Sequence, residues 1–275
     1  MKHPAPVSVA VVIPIYKVKL TDYELVSLTQ CLLVLGKHKI YLAAPHTLDI
    51  SFYREFSPTL HCRTFDSTYF SDIQGYNRLM LSEQFYGAFT DVEYILIYQL
   101  DAFVFRDELA DWCRQGYDYI GAPWLQNRDF RGWRDQLSFR IRQRTATLLD
   151  LKKADGITPR EIISLNGVGN GGLSLRRIPA MLRCLRRFRR KIDEYERVHH
   201  YQYNEDVFWG IEVNRYWPWL RIPTYRKALH FSIEFYPHWA IEHYNQGQLP
   251  FGCHAWDIHE TAYWRAIFAR YGYQI

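Results

Sequence analysis

The sequence predicts an α/β fold with a parallel-rich sheet, and three observations support this class. Apolar runs at 7–13, 39–44 and 94–105 have the length and composition of buried strands. The intervening segments 22–36 and 71–89 show the apolar spacing of helices. Strands that alternate with helices imply right-handed βαβ units, and therefore neighbouring strands that run parallel.

Each element has its own signal. The first strand is an almost unbroken apolar run that stops at Pro14. In 22–36 leucines recur at helical intervals, and Gly36 is a suitable C-cap. The run 94–105 is the strongest strand candidate. Weaker apolar runs predict further short strands at 60–65 and 118–122.

The pattern changes after Trp124. Residues 127–144 are rich in arginine and aromatic residues and poor in aliphatic ones. We therefore predict an irregular or partly helical insertion over 124–164, able to act as a lid. The periodic apolar positions of 178–198 predict one long helix after it.

Composition limits the class of protein. The 275 residues are 48% hydrophobic, enough for the core of one large domain. The formal net charge of +5 suits anionic partners such as a nucleotide diphosphate. Five cysteines without a CxxC pair disfavour a disulfide framework or a thiolate zinc site. With no signal-peptide pattern and no apolar run of spanning length, we expect a cytoplasmic protein.

Two adjacent carboxylates, Glu205 and Asp206, precede the apolar run Val-Phe-Trp. Desolvation and like charge raise carboxyl pKa values, which produces a general base. About thirty residues earlier, 167–172 contains four glycines in six residues, which lets a backbone pass close to a ligand. The alternatives are a helix N-terminus for the acids and an ordinary turn for the glycines.

Asp101 is the single acid inside the apolar run 94–105. Burying a carboxylate costs several kcal/mol unless a cation or hydrogen-bond donors compensate. The carboxyl end of a central strand is where open α/β sheets bind ligands, so we predict a metal ligand. The alternative is a carboxylate that caps backbone N–H groups at the strand end.

Several segments, in order, resemble the GT-A glycosyltransferases, including the β-1,4-galactosyltransferases, the β-1,3-glycosyltransferases and a little-characterised microbial glycosyltransferase family. The matching segments are Val-Val-Ile-Pro at 11–14, Tyr-Asn-Arg-Leu at 76–79, Gln-Leu-Asp at 99–101, the glycine segment 169–174, Glu-Asp-Val at 205–207 and the His254 region 251–256. The resemblance implies a single GT-A-like domain. It would have a Rossmann-like nucleotide half (1–123), an Arg-rich insertion or lid (124–154) and a mixed-sheet acceptor half (155–275).

The resemblance also implies a function: inverting transfer of a sugar from a nucleotide sugar, with UDP favoured, to a glycan or lipid-linked glycan. Asp206 would be the general base, and Glu205 would orient the acceptor. The implied nucleotide-binding residues are Pro14, Tyr16, Asn77, Arg78, Gln99 and Asp101. The implied acceptor-binding residues are Gly171, Gly172 and Trp209. Asp101 and His254 would hold Mn²⁺ or Mg²⁺.

One departure concerns the metal motif, DxD in that family. If Gln99 takes the first position, Asp101 takes the second, which is the usual ligand; we favour this register. If Asp101 takes the first, Phe103 replaces the second acid. The enzyme alternative is therefore a metal-independent transferase that uses Arg78 and the Arg-rich insertion. The non-enzyme alternative is a carbohydrate-binding protein without turnover.

The densest charge run is Arg183–Lys191. It is interpreted as the solvated face of the 178–198 helix or as a dock for an anionic membrane. Nucleic-acid binding is not expected, since no recognised motif accompanies the charge.

Overall fold

The computed structural model describes residues 7–275. The strands are β1 (Val9–Pro14), β2 (Lys39–Pro45), β3 (His61–Phe65), β4 (Tyr94–Tyr98), β5 (Phe103–Val104), β6 (Tyr119–Pro123), β7 (Val168–Arg177), β8 (Ser232–Ile233) and β9 (Gly252–Cys253). The helices are α1 (Asp22–Leu35), α2 (Ser51–Phe56), α3 (Ile73–Met80), α4 (Glu83–Gly87), α5 (Leu109–Arg114), α6 (Trp133–Leu148), α7 (Ile178–Arg187), α8 (Arg189–Arg197), α9 (Glu205–Val207), α10 (Tyr225–Ala228), α11 (Pro237–His243) and α12 (Thr261–Phe268). A π-helical turn, Phe208–Glu212, continues α9.

The main sheet has six strands in the order β3-β2-β1-β4-β7-β6. Its first four strands are mutually parallel, whereas β7 runs antiparallel to both β4 and β6. The predicted α/β class is therefore confirmed: a parallel N-terminal half continues into a mixed sheet. Strand order reverses between β1 and β4, and ligands bind at such a switch point in open α/β sheets.

Helices cover both faces of this sheet, which explains the unbroken apolar run of β1. Val9, Val11 and Ile13 belong to a core with α1, whereas Ala10 and Val12 belong to a second core with α3, α4 and α7. A strand buried on both faces has no polar side to alternate with. Helix α1 begins at the capping box of Thr21 and Glu24 and ends at the predicted Gly36 C-cap.

A small second sheet, in the order β5-β9-β8, carries the C-terminal part of the chain. Its aromatic core includes Phe103, which stacks on Phe268 of α12 with ring centroids 3.9 Å apart. Strand β9 ends directly before His254. This sheet therefore fixes the direction from which His254 approaches the main sheet.

Three elements predicted as continuous are interrupted. The run 94–105 forms β4 and β5, which belong to different sheets and are separated by a turn at 99–102. The predicted helix 71–89 forms α3 and α4, because the Ser82 hydroxyl caps a new helix. The predicted helix 178–198 breaks at Phe188, whose ring packs against Phe208 and Trp219.

The glycine segment does not form the turn considered as the alternative, and the insertion is partly helical, one of its two predicted forms. Gly169, Gly171 and Gly172 lie inside β7, between β4 and β6. Residues 133–148 of the insertion form α6, a sixteen-residue helix. Across residues 7–275, no helix combines the length and apolar composition needed to cross a bilayer.

Candidate active site

A cavity of about 860 Å³ opens at the carboxyl ends of β1 and β4, at the point where strand order reverses. Residues from both halves of the chain line it. Ten predicted site residues are among them: Pro14, Tyr16, Asn77, Gln99, Asp101, Gly171, Gly172, Glu205, Asp206 and His254. The topology thus brings together residues separated by up to 240 positions.

The glycines of β7 make room for side chains that approach its backbone. The Gln99 N–H donates to the Gly172 carbonyl oxygen at 2.8 Å, which places the β4–β5 turn beside β7. A Cβ on Gly172 would collide with the imidazole of His254, and one on Gly171 with the carboxylate of Glu205. The two glycines therefore admit the two side chains to the cavity wall.

Glu205 is buried in a two-pronged ion pair with Arg176. Both of its oxygens accept from the guanidinium, at 2.8 and 2.9 Å, and the Arg176 side chain has no exposed surface. Arg176 also donates to the hydroxyls of Ser174 and Tyr86. With both oxygens engaged, Glu205 anchors the start of α9 to β7.

Asp206 is the free carboxylate of the pair. One oxygen accepts the N–H of Val207 at 2.8 Å. Burial, and then the charge of Glu205, raise the pKa of Asp206 to about 8. A carboxylate with this proton affinity can take a proton from a substrate near neutral pH.

Asn77 holds the turn before these acids. Its amide oxygen accepts the Glu205 N–H at 3.0 Å, and its amide nitrogen donates to Asn204 at 2.9 Å. The sequence suggested nucleotide binding for Asn77, which does line the cavity, and these two contacts assign it to positioning α9.

Asp101, Gln99 and His254 form the second chemical centre of the cavity. His254 Nε2 lies 3.0 Å from Asp101 Oδ1 and 3.2 Å from Gln99 Oε1. Burial would raise the pKa of Asp101, but the charge of His254 and its hydrogen bond outweigh burial and lower it. Burial opposes an imidazolium, yet the carboxylates of Asp101 and then Glu234 raise the pKa of His254 to about 9.

A buried carboxylate, Glu234, lies behind His254. Its oxygen is 3.9 Å from His254 Nδ1, and it accepts a hydrogen bond from the Asn170 amide. Asn170 in turn accepts the Gly172 N–H at 3.0 Å. Burial raises the pKa of Glu234 to about 7, against the charge of His254. The network joins β7, β8 and His254.

The fit of this centre to a divalent cation can be judged from its donor atoms. Within residues 7–275, no group of three or more His, Cys, Asp or Glu side chains could hold a metal ion. The centre offers instead one carboxylate, one imidazole and one amide oxygen. His254 Nδ1 is buried without a hydrogen-bond partner. Such a set fits a cation whose other ligands are phosphate oxygens.

The charge of the cavity wall also matters. Six acids line it: Glu24, Asp72, Asp101, Glu205, Asp206 and Asp257. Among the described residues that line it, the basic ones are Lys17, which pairs with Glu24 at 2.8 Å, and His254. Three of the six acids are paired, Glu24 with Lys17, Glu205 with Arg176 and Asp101 with His254, so among the described lining residues a diphosphate meets no unpaired basic side chain.

Two predicted site residues lie elsewhere. Trp209 is fully buried and packs on Tyr86 and Phe208, so it cannot offer a stacking face to an acceptor. Arg78 does not line the cavity; its guanidinium lies 3.4 Å from the Thr68 carbonyl oxygen. Neither residue therefore lies in the cavity wall as expected: Trp209 is enclosed by its aromatic neighbours, and Arg78 points away from Asn77 on the same helix.

The insertion 124–154 contributes no residue to the cavity wall. Gln143 of α6 donates to the carbonyl oxygens of Ile162 and Leu165, and Arg144 donates to that of Arg215. The helix is therefore fixed to other parts of the chain, and its arginines are not among the residues that line the cavity.

Four functional candidates escaped the sequence analysis: Arg176, Asn170, Glu234 and Asp257. Arg176 ends a run of small and apolar residues, and Glu234 follows the buried Ser232 and Ile233. A charged residue at the end of a buried run was the available signal, as it was for Asp101.

The sequence pattern of one protein family matches residues 59–254, more than two thirds of the chain. This family is DUF5672, described as proteins of unknown function. The chain belongs to DUF5672. The matched region contains Gln99, Asp101, the glycine strand and Asp206, and its last residue is His254. No curated protein matches the chain.

Three solved structures are similar to this member of DUF5672. Core-mannan synthase A from Aspergillus fumigatus, in its Mn/GDP form, has 9% identity over 82% of this chain and 74% of its own, with a TM-score of 0.47. Mouse xyloside xylosyltransferase 1, in its apo form, has 11% identity over 90% and 97%, with a TM-score of 0.49. The bifunctional glycosyltransferase WbbM has 13% identity over 92% of this chain and 46% of its own, with a TM-score of 0.47.

Proposed function

We propose that the protein is an inverting glycosyltransferase of the GT-A type. It would move a sugar from a nucleotide sugar, with UDP favoured, to a hydroxyl of a glycan or lipid-linked glycan. One observation carries the proposal: a single cavity at the switch point holds a carboxyl group with a pKa of about 8 and a separate Asp-His-Gln centre. The carboxyl group of Asp206 suits proton abstraction, and the Asp-His-Gln centre suits a diphosphate leaving group.

The proposed step is a single displacement. The acceptor oxygen attacks the anomeric carbon while its proton passes to the Asp206 carboxylate. The bond from that carbon to the diphosphate oxygen breaks, and the electron pair leaves with the diphosphate. Attack on the face opposite the leaving group inverts the anomeric configuration. Asp206 then returns the proton to solvent.

Glu205 and Asn77 act on this step through position. The Arg176 pair and the Asn77 hydrogen bonds fix the first turn of α9 against β7. This constraint keeps Asp206 in the cavity wall and places the negative charge of Glu205 beside it, which raises the proton affinity of Asp206. We therefore assign Glu205 to positioning and to tuning the base.

Asp101 and His254, with Gln99, are the residues that would hold Mn²⁺ or Mg²⁺. The cation would stabilise the negative charge of the departing diphosphate. The acidic cavity wall supports this assignment, because Arg78 and the α6 arginines do not line it. The metal-independent alternative depends on those arginines, so the geometry favours the metal-dependent one.

The test is a thermal-shift series with UDP, GDP and their sugars, each with and without Mn²⁺, followed by an assay of nucleotide-sugar hydrolysis without acceptor. A ligand that binds only the native state raises the melting temperature. We expect a nucleotide diphosphate to stabilise the protein more with Mn²⁺, and slow hydrolysis of the matching sugar nucleotide. Binding without any turnover would favour the non-catalytic carbohydrate-binding alternative. No stabilisation by any nucleotide would contradict the proposal.

A further inference from the structure

A second groove, of about 630 Å³, lies beside α7, on a part of the surface that the proposed reaction does not use. Its apolar lining comes from Val92, Ile178, Pro179 and Leu182. The other lining residues are Thr90, three arginines and an indole: Arg183, Arg186, Arg187 and Trp219. We call this feature the Arg-Trp groove. A groove with an apolar lining and cationic side chains has the chemistry of a site for an anionic amphiphile.

The arginines of this region carry excess positive charge. Glu83 pairs with Arg186 at 2.8 Å and with Arg189 at 3.0 Å. Arg183, Arg187 and Arg190 are exposed and make no ion pair with any residue from 7 to 275. If the charge run were only a solvated helix face, this excess of positive charge would have no partner.

Exposed aromatic residues adjoin the groove. The Arg187 guanidinium lies 5.7 Å from the centre of the Trp219 ring, which joins the charge run to the loop 216–219. In that loop Tyr216 is 68% exposed and Trp217 is 67% exposed. Tyr and Trp are enriched where a protein meets a membrane interface, because an apolar body and a polar tip suit the headgroup region.

We propose that the Arg-Trp groove and the loop 216–219 bind the surface of an anionic lipid bilayer. Arginines near an anionic surface attract its headgroups, and the aromatic side chains and apolar lining take up the boundary of the acyl chains. Nucleic acid fits less well, since the apolar part of the groove, Val92, Ile178, Pro179 and Leu182, offers no polar side chain to a phosphate or a base edge. This inference stands apart from the proposed sugar transfer, because it requires neither Asp206 nor the Asp101 centre.

The experiment is vesicle flotation of the full chain with phosphatidylcholine vesicles, with and without about a third phosphatidylglycerol. We expect binding to the anionic vesicles alone. A basic residue near such a surface contributes about 1 kcal/mol, or about fivefold in partitioning. The variant Arg183→Gln/Arg187→Gln should therefore bind about 25-fold more weakly. Trp217→Ala should weaken binding at high salt, where charge attraction is screened.

The matched control is Arg140→Gln/Arg142→Gln, which removes the same charge from the exposed side of α6. Its vesicle binding should equal that of the wild type, and circular dichroism should show that all variants are folded. An equal loss in both double variants would mean non-specific attraction and would overturn the proposal. A third outcome would also overturn it: the wild type binds single-stranded RNA but no vesicles, and Arg183→Gln/Arg187→Gln abolishes the RNA binding. The surface would then be a nucleic-acid surface.

Discussion

Gly172 lies directly against the imidazole of His254, so close that a Cβ on the glycine would occupy the position of the ring. The same residue accepts the Gln99 N–H and donates to Asn170. The peptide groups on either side of Gly172 thus hold Gln99 and Asn170 next to the Asp101-His254 centre. The backbone of β7, and not only its side chains, sets the geometry of the site.

Gly172→Ala should therefore damage the site. Forced overpacking costs about 1–3 kcal/mol, and relief requires that His254 move away from Asp101. We expect a lower melting temperature and a loss of the stabilisation by nucleotide diphosphate with Mn²⁺, both measurable by thermal shift.

Gly87→Ala is the control, because nothing lies within 4 Å of a Cβ there. Alanine at a compatible glycine position stabilises by about 0.4–1 kcal/mol. The variant His254→Ala lacks the obstructing ring. In that background Gly172→Ala should lower the melting temperature less than it does in the wild type. An undiminished penalty in the double variant would place the collision elsewhere.

Asp206→Asn keeps the shape of the side chain but cannot accept a proton. General-base catalysis contributes about 10²–10⁴-fold, so kcat should fall by that order while donor binding changes little. In the wild type, kcat/KM should rise with pH and level off above the Asp206 pKa of about 8. Steady-state kinetics from pH 5.5 to 9.5 measure both effects. A normal rate in the variant would remove Asp206 from the mechanism.

The raised pKa of Asp206 also makes the free energy of unfolding depend on pH. The unfolded chain loses the proton near pH 3.8, but the folded chain keeps it until about pH 8. The stability that this group contributes is thus complete below pH 3.8 and is lost as pH rises to about 8. Asp206→Asn lacks this loss, so relative to wild type it should gain stability between pH 4 and pH 8. Urea unfolding at several pH values tests the trend.

Glu205→Gln should act chiefly on stability, since it leaves the buried Arg176 charge without its partner. Breaking a buried pair costs about 3–5 kcal/mol. Glu55→Gln is the exposed control, expected within about 0.5 kcal/mol of wild type. Replacing both Arg176 and Glu205 by methionine should cost less than Glu205→Gln. Chemical unfolding measures all three; equal stability of Glu205→Gln and wild type would contradict the anchoring role.

Features of the fold that depend on nearby residues could be predicted from the sequence. The apolar run of β1 and the helix α1 followed from residues 9–36, because two-sided burial, the helical spacing of leucines and the Gly36 C-cap leave a signal in the adjacent sequence. Asp101 was noticed for a similar reason: it is the lone acid in an apolar run, and it lies in the turn that follows β4. These features needed no knowledge of distant parts of the chain.

Distant contacts account for what was missed. The sequence left a turn open as the alternative for the glycines of β7, because only the distant Glu205 and His254 show why a strand inside the sheet needs them. The apolar period of α7 continues through α8, whereas the break at Phe188 coincides with contacts to Phe208 and Trp219. No pattern within a few residues carries that information.

The last prediction concerns the cation. Asp101 Oδ1 and Gln99 Oε1 lie 3.0 and 3.2 Å from His254 Nε2, in a cavity whose charged lining residues are mostly acidic. We expect isothermal titration to show that Mn²⁺ tightens UDP binding at least about tenfold, and that Asp101→Asn abolishes this gain. Asp72→Asn is the matched control: it removes another cavity charge while asparagine still caps α3. The control should keep the full gain, because Asp72 is not part of the Asp-His-Gln centre. If UDP bound wild type equally with and without Mn²⁺, protonated His254 would be the remaining cation at this centre, and the metal-independent alternative would replace the proposal. If Asp72→Asn lost the gain as fully as Asp101→Asn, cavity charge rather than coordination would control binding.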